Sequence, residues 1–344
     1  MLDDISYIKR FDTDDMLGVL GRQQSQLAHN FETELDFNPK QVTAIVVAGM
    51  GGSALAADLV SNWLSARLSI PFVIVRDYDL PNFVDENTLV ICSSYSGNTE
   101  ESLSAYEQAG ERNSQRIVIT QGGTLVDRAK EDDVASYLLP GGYQPRMAVW
   151  YGVKAFADLL EQAGWCDGLV DELESSIEWL EQSQANWKAE FMTADNQAKQ
   201  VAESCMGKSV WIYSGPKLAA SAYKWKININ ENSKHVSAWN VLPEFNHNEF
   251  LGWTEQPQHK PFTVVQLRSG LDNQRTQKRF DVTNRLLSGR MPHPIEIEAK
   301  GETHIQQMLW SCLLGDYVSA YLGVLNGVNP TRVDAIEKFK KELS

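Results

Sequence analysis

Four cysteines in 344 residues, Cys92, Cys166, Cys205 and Cys312, are scattered without any Cys-x-x-Cys pair, which argues against a disulfide framework or a structural zinc site. Only six histidines are present, and none has a second histidine or cysteine at helical or turn spacing, so no metal ligand set is expected. No stretch approaches the roughly 20 continuous apolar residues of a membrane span. Positive charge is in deficit: 31 Lys and Arg stand against 45 Asp and Glu, a net charge of −14 with a pI of ≈ 4.9. That balance excludes a general nucleic-acid binder, which needs a basic face to displace counterions from phosphates. The opening MLDDISYIKRFDTDD is acidic where a secretion signal is basic and then apolar, which predicts a cytoplasmic protein. What is present is ordinary globular composition, 43% apolar and 22% charged, with length enough for two domains of about 150 residues each.

The first third alternates strand and helix signals. Residues 42–48 (VTAIVVA), 71–77, 88–94 (TLVICSS), 116–120 and 134–139 read as short strands, and 53–66, 96–110 and 124–131 as helices between them. Residues 147–205 carry no strand signal and read as long helices with an acidic outer face. The alternation then restarts: strands at 209–215 (SVWIYSG), 261–269 and PIEIEA, with helices over PKLAASAYKWKININE, 272–289, 303–327 and 333–344. Strands separated by helices imply parallel sheets covered on both faces, so the fold class is α/β, in two halves joined by helices.

Two loops carry chemistry. The first strand runs into GMGGSALAADLV (49–60), a glycine run between a strand and a helix, which lets backbone amides approach an anion. Its spacing (Gly49, Gly51, Ala54) also satisfies the dinucleotide fingerprint, with Asp77 at the end of the next strand as a candidate ribose acid. This loop alone fits a phosphate site, a dinucleotide or a plain tight turn. The second loop, SSYSGNTEES, places Ser94, Ser96 and Thr99 at the start of another helix, where hydroxyls and free amides can converge on one dianionic phosphate. A single helix cap would need only one of the three. A dinucleotide would leave this loop with no task, which disfavours an NAD-dependent oxidoreductase.

The GMGGSA loop, a strand followed by SSYSGNTEE, the later NENSKH and PEFNHNE together resemble the sugar isomerase (SIS) superfamily, and more narrowly the bifunctional phosphoglucose/phosphomannose isomerase family. The likeness runs through GGYQPRMAV (141–149), ENSK (231–234), LPEFNHNEFLGW (242–253), LGDYVSAYLG (314–323) and NPTRVDAIEKFKKEL (329–343). It implies two SIS-type three-layer αβα sandwich domains, residues 1–160 and 206–344, with a helical connector over 161–205. It also implies cofactor-free and metal-free exchange of glucose 6-phosphate or mannose 6-phosphate with fructose 6-phosphate.

Such a reaction opens a sugar ring and moves a proton between C1 and C2 through an enediol. The resemblance gives Glu231, near the end of its helix, as the general base in a partly desolvated pocket. It gives His247 the ring-opening role, with Asn246 and Asn248 as candidates to fix its tautomer. In the family this histidine reaches the site from the neighbouring subunit, which implies a homodimer. Arg146 would stabilise the enediolate oxygen, and Lys340 corresponds to a family lysine in the terminal helix, where Phe339 replaces the usual leucine. Gly51, Gly52, Ser53, Ser94, Ser96 and Thr99 would hold the phosphate. Bland readings stand beside these: a solvated loop arginine at 146, and surface lysines at 224 and 226. His235, His293 and His304 have no spaced partners, and the ten tryptophans read as packing. A non-catalytic SIS-type sugar-phosphate sensor would keep the hydroxyl loop without needing Glu231, His247 or Arg146.

Overall fold

A computed structural model describes residues 1–255 and 261–343; the side chains of 340, 341 and 343 lie outside the described residues. The chain begins with α1 (Ile5–Phe11) and α2 (Met16–Leu20). It continues through β1 (Ala44–Gly49), α3 (Gly51–Trp63), β2 (Phe72–Val75), β3 (Thr88–Ser93), α4 (Glu100–Glu111), β4 (Gln115–Thr120), α5 (Thr124–Glu131) and β5 (Ser136–Leu138). Helices α6 (Val149–Gln162), α7 (Leu169–Ser175), α8 (Ile177–Ser183) and α9 (Gln197–Cys205) follow without a strand. Then come β6 (Ser209–Ser214), α10 (Ala219–Ser233), β7 (Ser237–Val241), α11 (Glu249–Thr254), β8 (Phe262–Arg268), α12 (Gln274–Leu286), β9 (Ile295–Glu298), α13 (His304–Leu325) and α14 (Asp334–Leu343).

The residues gather into two compact units. One comprises Gln23–Glu178. The other comprises Trp179–Ser344 together with Met1–Arg22, so the first two helices pack with the C-terminal half, and residues 161–205 are shared between the units at 178/179.

In the first unit a five-stranded sheet has the order β2-β1-β3-β4-β5, every pair parallel. Strands β1 and β3 are buried at every position, which is why they read as unbroken apolar runs: helices cover both faces. Val46, Val90, Cys92 and Val118 on one face pack against Ala105, Tyr106 and Ala109 of α4 and Leu125 and Ala129 of α5.

The second unit has a four-stranded parallel sheet, β7-β6-β8-β9. Strand β7 is absent from the sequence reading. Its SAWNV holds one β-branched residue, and it lies half-buried at the sheet edge, so neither alternation nor an apolar run marks it. On one face Tyr213 and Val264 pack with Leu242, Phe245, Trp253 and Phe280. Among the described residues one helix, α13, is long and apolar enough by composition to cross a membrane, and all of its apolar window is buried within the protein.

All four cysteines are buried and unpaired. Burial pushes the thiols of Cys92, Cys205 and Cys312 up to about 12. The folded protein should therefore release less than about one equivalent of chromophore from a disulfide thiol reagent within minutes, and denaturation should expose all four thiols. Rapid reaction of two or more thiols in the native state would contradict this burial.

Candidate active site

The glycine loop and the hydroxyl loop leave β1 and β3, adjacent strands at the point where the order of the first sheet reverses, which is where open parallel sheets bind ligands. Met50 is extended and Gly51 turns with φ +52 to open α3. Gly52 is required for a different reason. A Cβ there would stand 2.7 Å from the carbonyl carbon of Pro145 and 2.8 Å from the nitrogen of Arg146, so the first turn of α3 presses directly on the backbone of the 3-10 turn Pro145–Met147. Arg146 on that turn is 1% exposed, which rules out the solvated-loop reading.

Ser53 links the two loops: its Oγ accepts from the Tyr95 amide at 2.9 Å. In the second loop the Ser94 and Thr99 hydroxyls are 2.8 Å apart, and the Ser94 Oγ accepts from the Gly97 amide at 3.1 Å. Ser96 is exposed, and its Oγ accepts from the Asn98 amide at 3.3 Å. Thr99 is the residue preceding α4, yet it makes no side-chain cap. The capping explanation for Thr99 is therefore not met, and the Thr99 hydroxyl instead pairs with that of Ser94. Gly97 holds the loop shut. Its φ is +69, and a Cβ would fall 1.7 Å from the Gly122 oxygen. Gly51, Gly52, Ser53, Ser94, Ser96, Thr99 and Arg146 thus belong to one unit.

Glu231 and His247 belong to the other unit, on separate elements. Glu231 lies inside the last turns of α10 and is half-buried. Its neighbours are anchored away from it: Asn230 donates to the His235 carbonyl (2.8 Å), Asn232 to the Ser319 hydroxyl (2.9 Å) and Ser233 to the Ser319 carbonyl (2.7 Å). His247 ends the 3-10 turn Glu244–His247 and is exposed.

The two asparagines beside His247 do not fix its tautomer. Asn246 donates to Thr283 Oγ1 at 2.9 Å and accepts from Arg279 at 3.3 Å, both on α12. Asn248 instead caps α11, its Oδ1 accepting from the Glu249 amide at 2.6 Å, and its amide donates to Glu244. Short amide side chains next to a turn bind backbone and neighbouring helices before they reach an adjacent outward-pointing ring. A cavity of about 400 Å³ adjoins this turn, lined by Asn246, Phe250 and the cations Arg275, Lys278 and Arg279. Lys340 lies on α14, and its side chain is outside the described residues.

Residues 194–343 match the family described as the bacterial phospho-glucose isomerase C-terminal SIS domain, and residues 40–139 match the SIS domain. A bifunctional phosphoglucose/phosphomannose isomerase of Aquifex aeolicus is 36% identical over 300 residues, covering 87% of this chain and 90% of the relative. One from Caldicellulosiruptor bescii is 35% identical over 327 residues, covering 94% and 96%. This chain belongs to the bifunctional phosphoglucose/phosphomannose isomerase family. Among solved structures, the C-terminal domain of a Francisella tularensis glucosamine-fructose-6-phosphate aminotransferase shares the fold, with a TM-score of 0.72 at 12% identity over 92% of this chain and 98% of that one.

In this family member, sequence reasoning missed the group that seats the histidine turn. Glu249 accepts from the Tyr213 hydroxyl and from Asn240 Nδ2 (2.6 Å), while Trp253 Nε1 donates to the same Tyr213 oxygen at 2.9 Å. Desolvation and the Glu249 carboxylate hold the Tyr213 phenol well above its usual range, so it stays a donor. The signal was the aromatic cluster of Phe245, Phe250 and Trp253 around Glu249, which periodicity does not flag. The reading of Lys224 as a surface lysine also fails: it is fully buried and paired with Asp316 of α13.

The two glycines predict different costs. Gly51→Ala meets nothing within 4 Å, so only its backbone strain, about 1–2 kcal/mol, should be lost from stability. Gly97→Ala adds overlap with a carbonyl oxygen to the same strain and should cost more than about 3 kcal/mol. Chemical denaturation of the two variants measures the difference, and equal costs would refute the tight closure at Gly97.

Proposed function

We propose that this chain interconverts glucose 6-phosphate and mannose 6-phosphate with fructose 6-phosphate by acid–base catalysis without a cofactor. The observation that carries the reading is the loop after β3, where Ser94, Ser96 and Thr99 gather at a helix start that none of them is consumed in capping. A dianionic phosphate accepts hydrogen bonds from such hydroxyls and from the helix amides together. Gly51, Gly52 and Ser53 extend the same cradle, with Ser53 already bonded to the loop.

His247, with Lys340, transfers protons at the ring oxygen and the anomeric hydroxyl to open the sugar. Glu231 then takes the proton from C2 of the aldose, forming a cis-enediol(ate), and returns it to C1 to give the ketose; the reverse passage makes the aldose. Arg146 stabilises the oxyanion that develops on the way, and its burial leaves that charge little screened. Rotation about C2–C3 of the common intermediate offers either face to one base, which accounts for both epimers. The exposure of His247 supports its delivery to a partner subunit's site in a homodimer. Its substrates are dianions that do not cross bilayers, which supports a cytoplasmic enzyme.

Incubation of fructose 6-phosphate with the wild type in metal-free buffer should yield both aldose phosphates, and Glu231→Gln should slow both by at least about a hundredfold. Undiminished activity in that variant would remove Glu231 from its role, and a wild type that binds fructose 6-phosphate without converting it would leave a sensor.

The partner-delivered histidine has its own test. Glu231→Gln and His247→Ala chains, each inactive, are unfolded, mixed and refolded together. One site of every mixed dimer then holds an intact Glu231 and an intact His247, so about a quarter of wild-type activity should return. No recovery would place His247 in its own chain's site.

A further inference from the structure

Helix α13 is buried along almost its whole length and packs beside α10, which carries Glu231 near its end. The contacts between them climb in parallel. Ser221 donates to the Met308 carbonyl, Trp225 Nε1 to the Ser311 carbonyl (2.7 Å), Asn232 to Ser319 Oγ and Ser233 to the Ser319 carbonyl, and Asn326 of α13's C-terminus donates to the Ser233 carbonyl at 3.0 Å. Between these steps lies a charged one: Lys224 and Asn228, one turn apart on α10, both donate to the Asp316 carboxylate, and all three side chains are wholly buried. Two glycines let the backbones close: a Cβ at Gly315 would overlap the Trp225 ring, and one at Gly323 would stand 2.7 Å from the Asn232 carbonyl.

An apolar interface alone would not fix this register. α13 carries apolar residues on every face, and sliding one such face along another by a turn exchanges similar contacts. Burying an ion pair gains little stability over apolar residues of the same volume, because desolvation of both charges offsets their attraction. What the pair does supply is a single acceptable alignment, since any slip strands a buried charge. Lys224, Asn228 and Glu231 fall at i, i+4 and i+7, one stripe of the helix, so the seam that fixes the first two also sets the azimuth and height of the third. A one-turn slip would move Glu231 by about 5.4 Å.

We propose that Lys224, Asn228 and Asp316 are positioning residues that hold Glu231 at its working height, and that their cost is accepted for register and not for stability. This rests on the reading of Glu231 as the base. The decisive variant replaces the whole triad with apolar residues of similar bulk, Lys224→Met/Asn228→Leu/Asp316→Leu. Its melting temperature should return to within a few degrees of the wild type, well above that of Asp316→Ala. Its kcat for fructose 6-phosphate should still be at least tenfold lower, with KM changed less than twofold.

In a Glu231→Gln background the same triad replacement should lower the residual rate no further. Wild-type kcat in the stable triad variant overturns the proposal, as does an equal loss in both backgrounds, which would mean the seam acts on something other than Glu231. A Glu231→Gln variant with wild-type activity instead overturns the base assignment itself. Should the triple variant not fold, Ser319→Ala, which removes the hydroxyl that receives Asn232 and itself donates to the Asp316 carbonyl (2.8 Å), should lower kcat severalfold with KM unchanged, and Ser319→Thr should restore most of it. A kcat unaffected by Ser319→Ala counts against the seam.

Discussion

A 22-residue helix with no exposed face has to be enclosed, and much of the second unit is the enclosure of α13. α10 lies along it, α9 packs against it, and α2 from the chain's start closes on it too. Its aromatic positions are used for anchoring: Tyr317 donates to Gln184 (3.0 Å) and Tyr321 to the Trp187 carbonyl (2.6 Å). Burying an apolar side chain on every face is worth roughly 1.5–3 kcal/mol each relative to exposure, so a single uncovered face would carry a large penalty. That constraint explains why Met1–Arg22 associates with residues more than 150 positions away. It also makes α13 the rigid reference against which α10 is set.

The motifs that mark the family divide their labour by residue. In Glu231-Asn232-Ser233-Lys234, Asn232 and Ser233 are spent on α13, Lys234 donates to the Asn329 carbonyl, and the glutamate is half-buried. In Pro243–Glu249, Phe245 enters the core, Asn246 is held by α12, Asn248 caps α11, and Glu249 is seated on Tyr213 and Asn240, which leaves His247 outward. Such motifs are long because holding one side chain in place needs several anchors, most of them satisfying a polar group that burial would otherwise penalise.

That division sets what a sequence reading can reach. Strands β1 and β3 are legible because full burial on two faces demands apolar residues, β6 and β8 because most of their positions are buried, and the glycine and hydroxyl loops because they sit at strand ends. The edge strand β7 is not, since half burial relaxes the pattern. Lys224 is not, because a lysine on a helix ordinarily faces water, and only the tertiary position of Asp316, 92 residues on, makes burial tolerable. The partners of Asn246 and Asn248 are equally invisible, since α12 is distant in sequence. The roles of Arg146 and His247 come from the family resemblance; the residues alone admit the bland reading that the burial of Arg146 then removes.

Both sheets reverse strand order at the same place, between β1 and β3 in one and between β6 and β8 in the other, so the fold offers two crevices of the same kind. They are not equally open to an anion. In the second crevice the loop after β8 turns Asp272 inward until its carboxylate lies over the loop after β6. One oxygen accepts from the Lys217 amide at 3.0 Å, and the other stands 2.0 Å from where a Cβ on Gly215 would be. The group is nearly buried, and desolvation holds its pKa above the ordinary carboxylate range. A phosphate approaching there would meet an amide already taken and a carboxylate in its place, and the absence of a side chain at Gly215 is what lets that carboxylate in. In the first crevice the corresponding loops present Gly51, Gly52 and the hydroxyls of Ser53, Ser94 and Thr99. The same topology therefore yields one crevice lined by glycines and hydroxyls and one closed by its own carboxylate, and the difference rests on a single aspartate and the glycine that admits it.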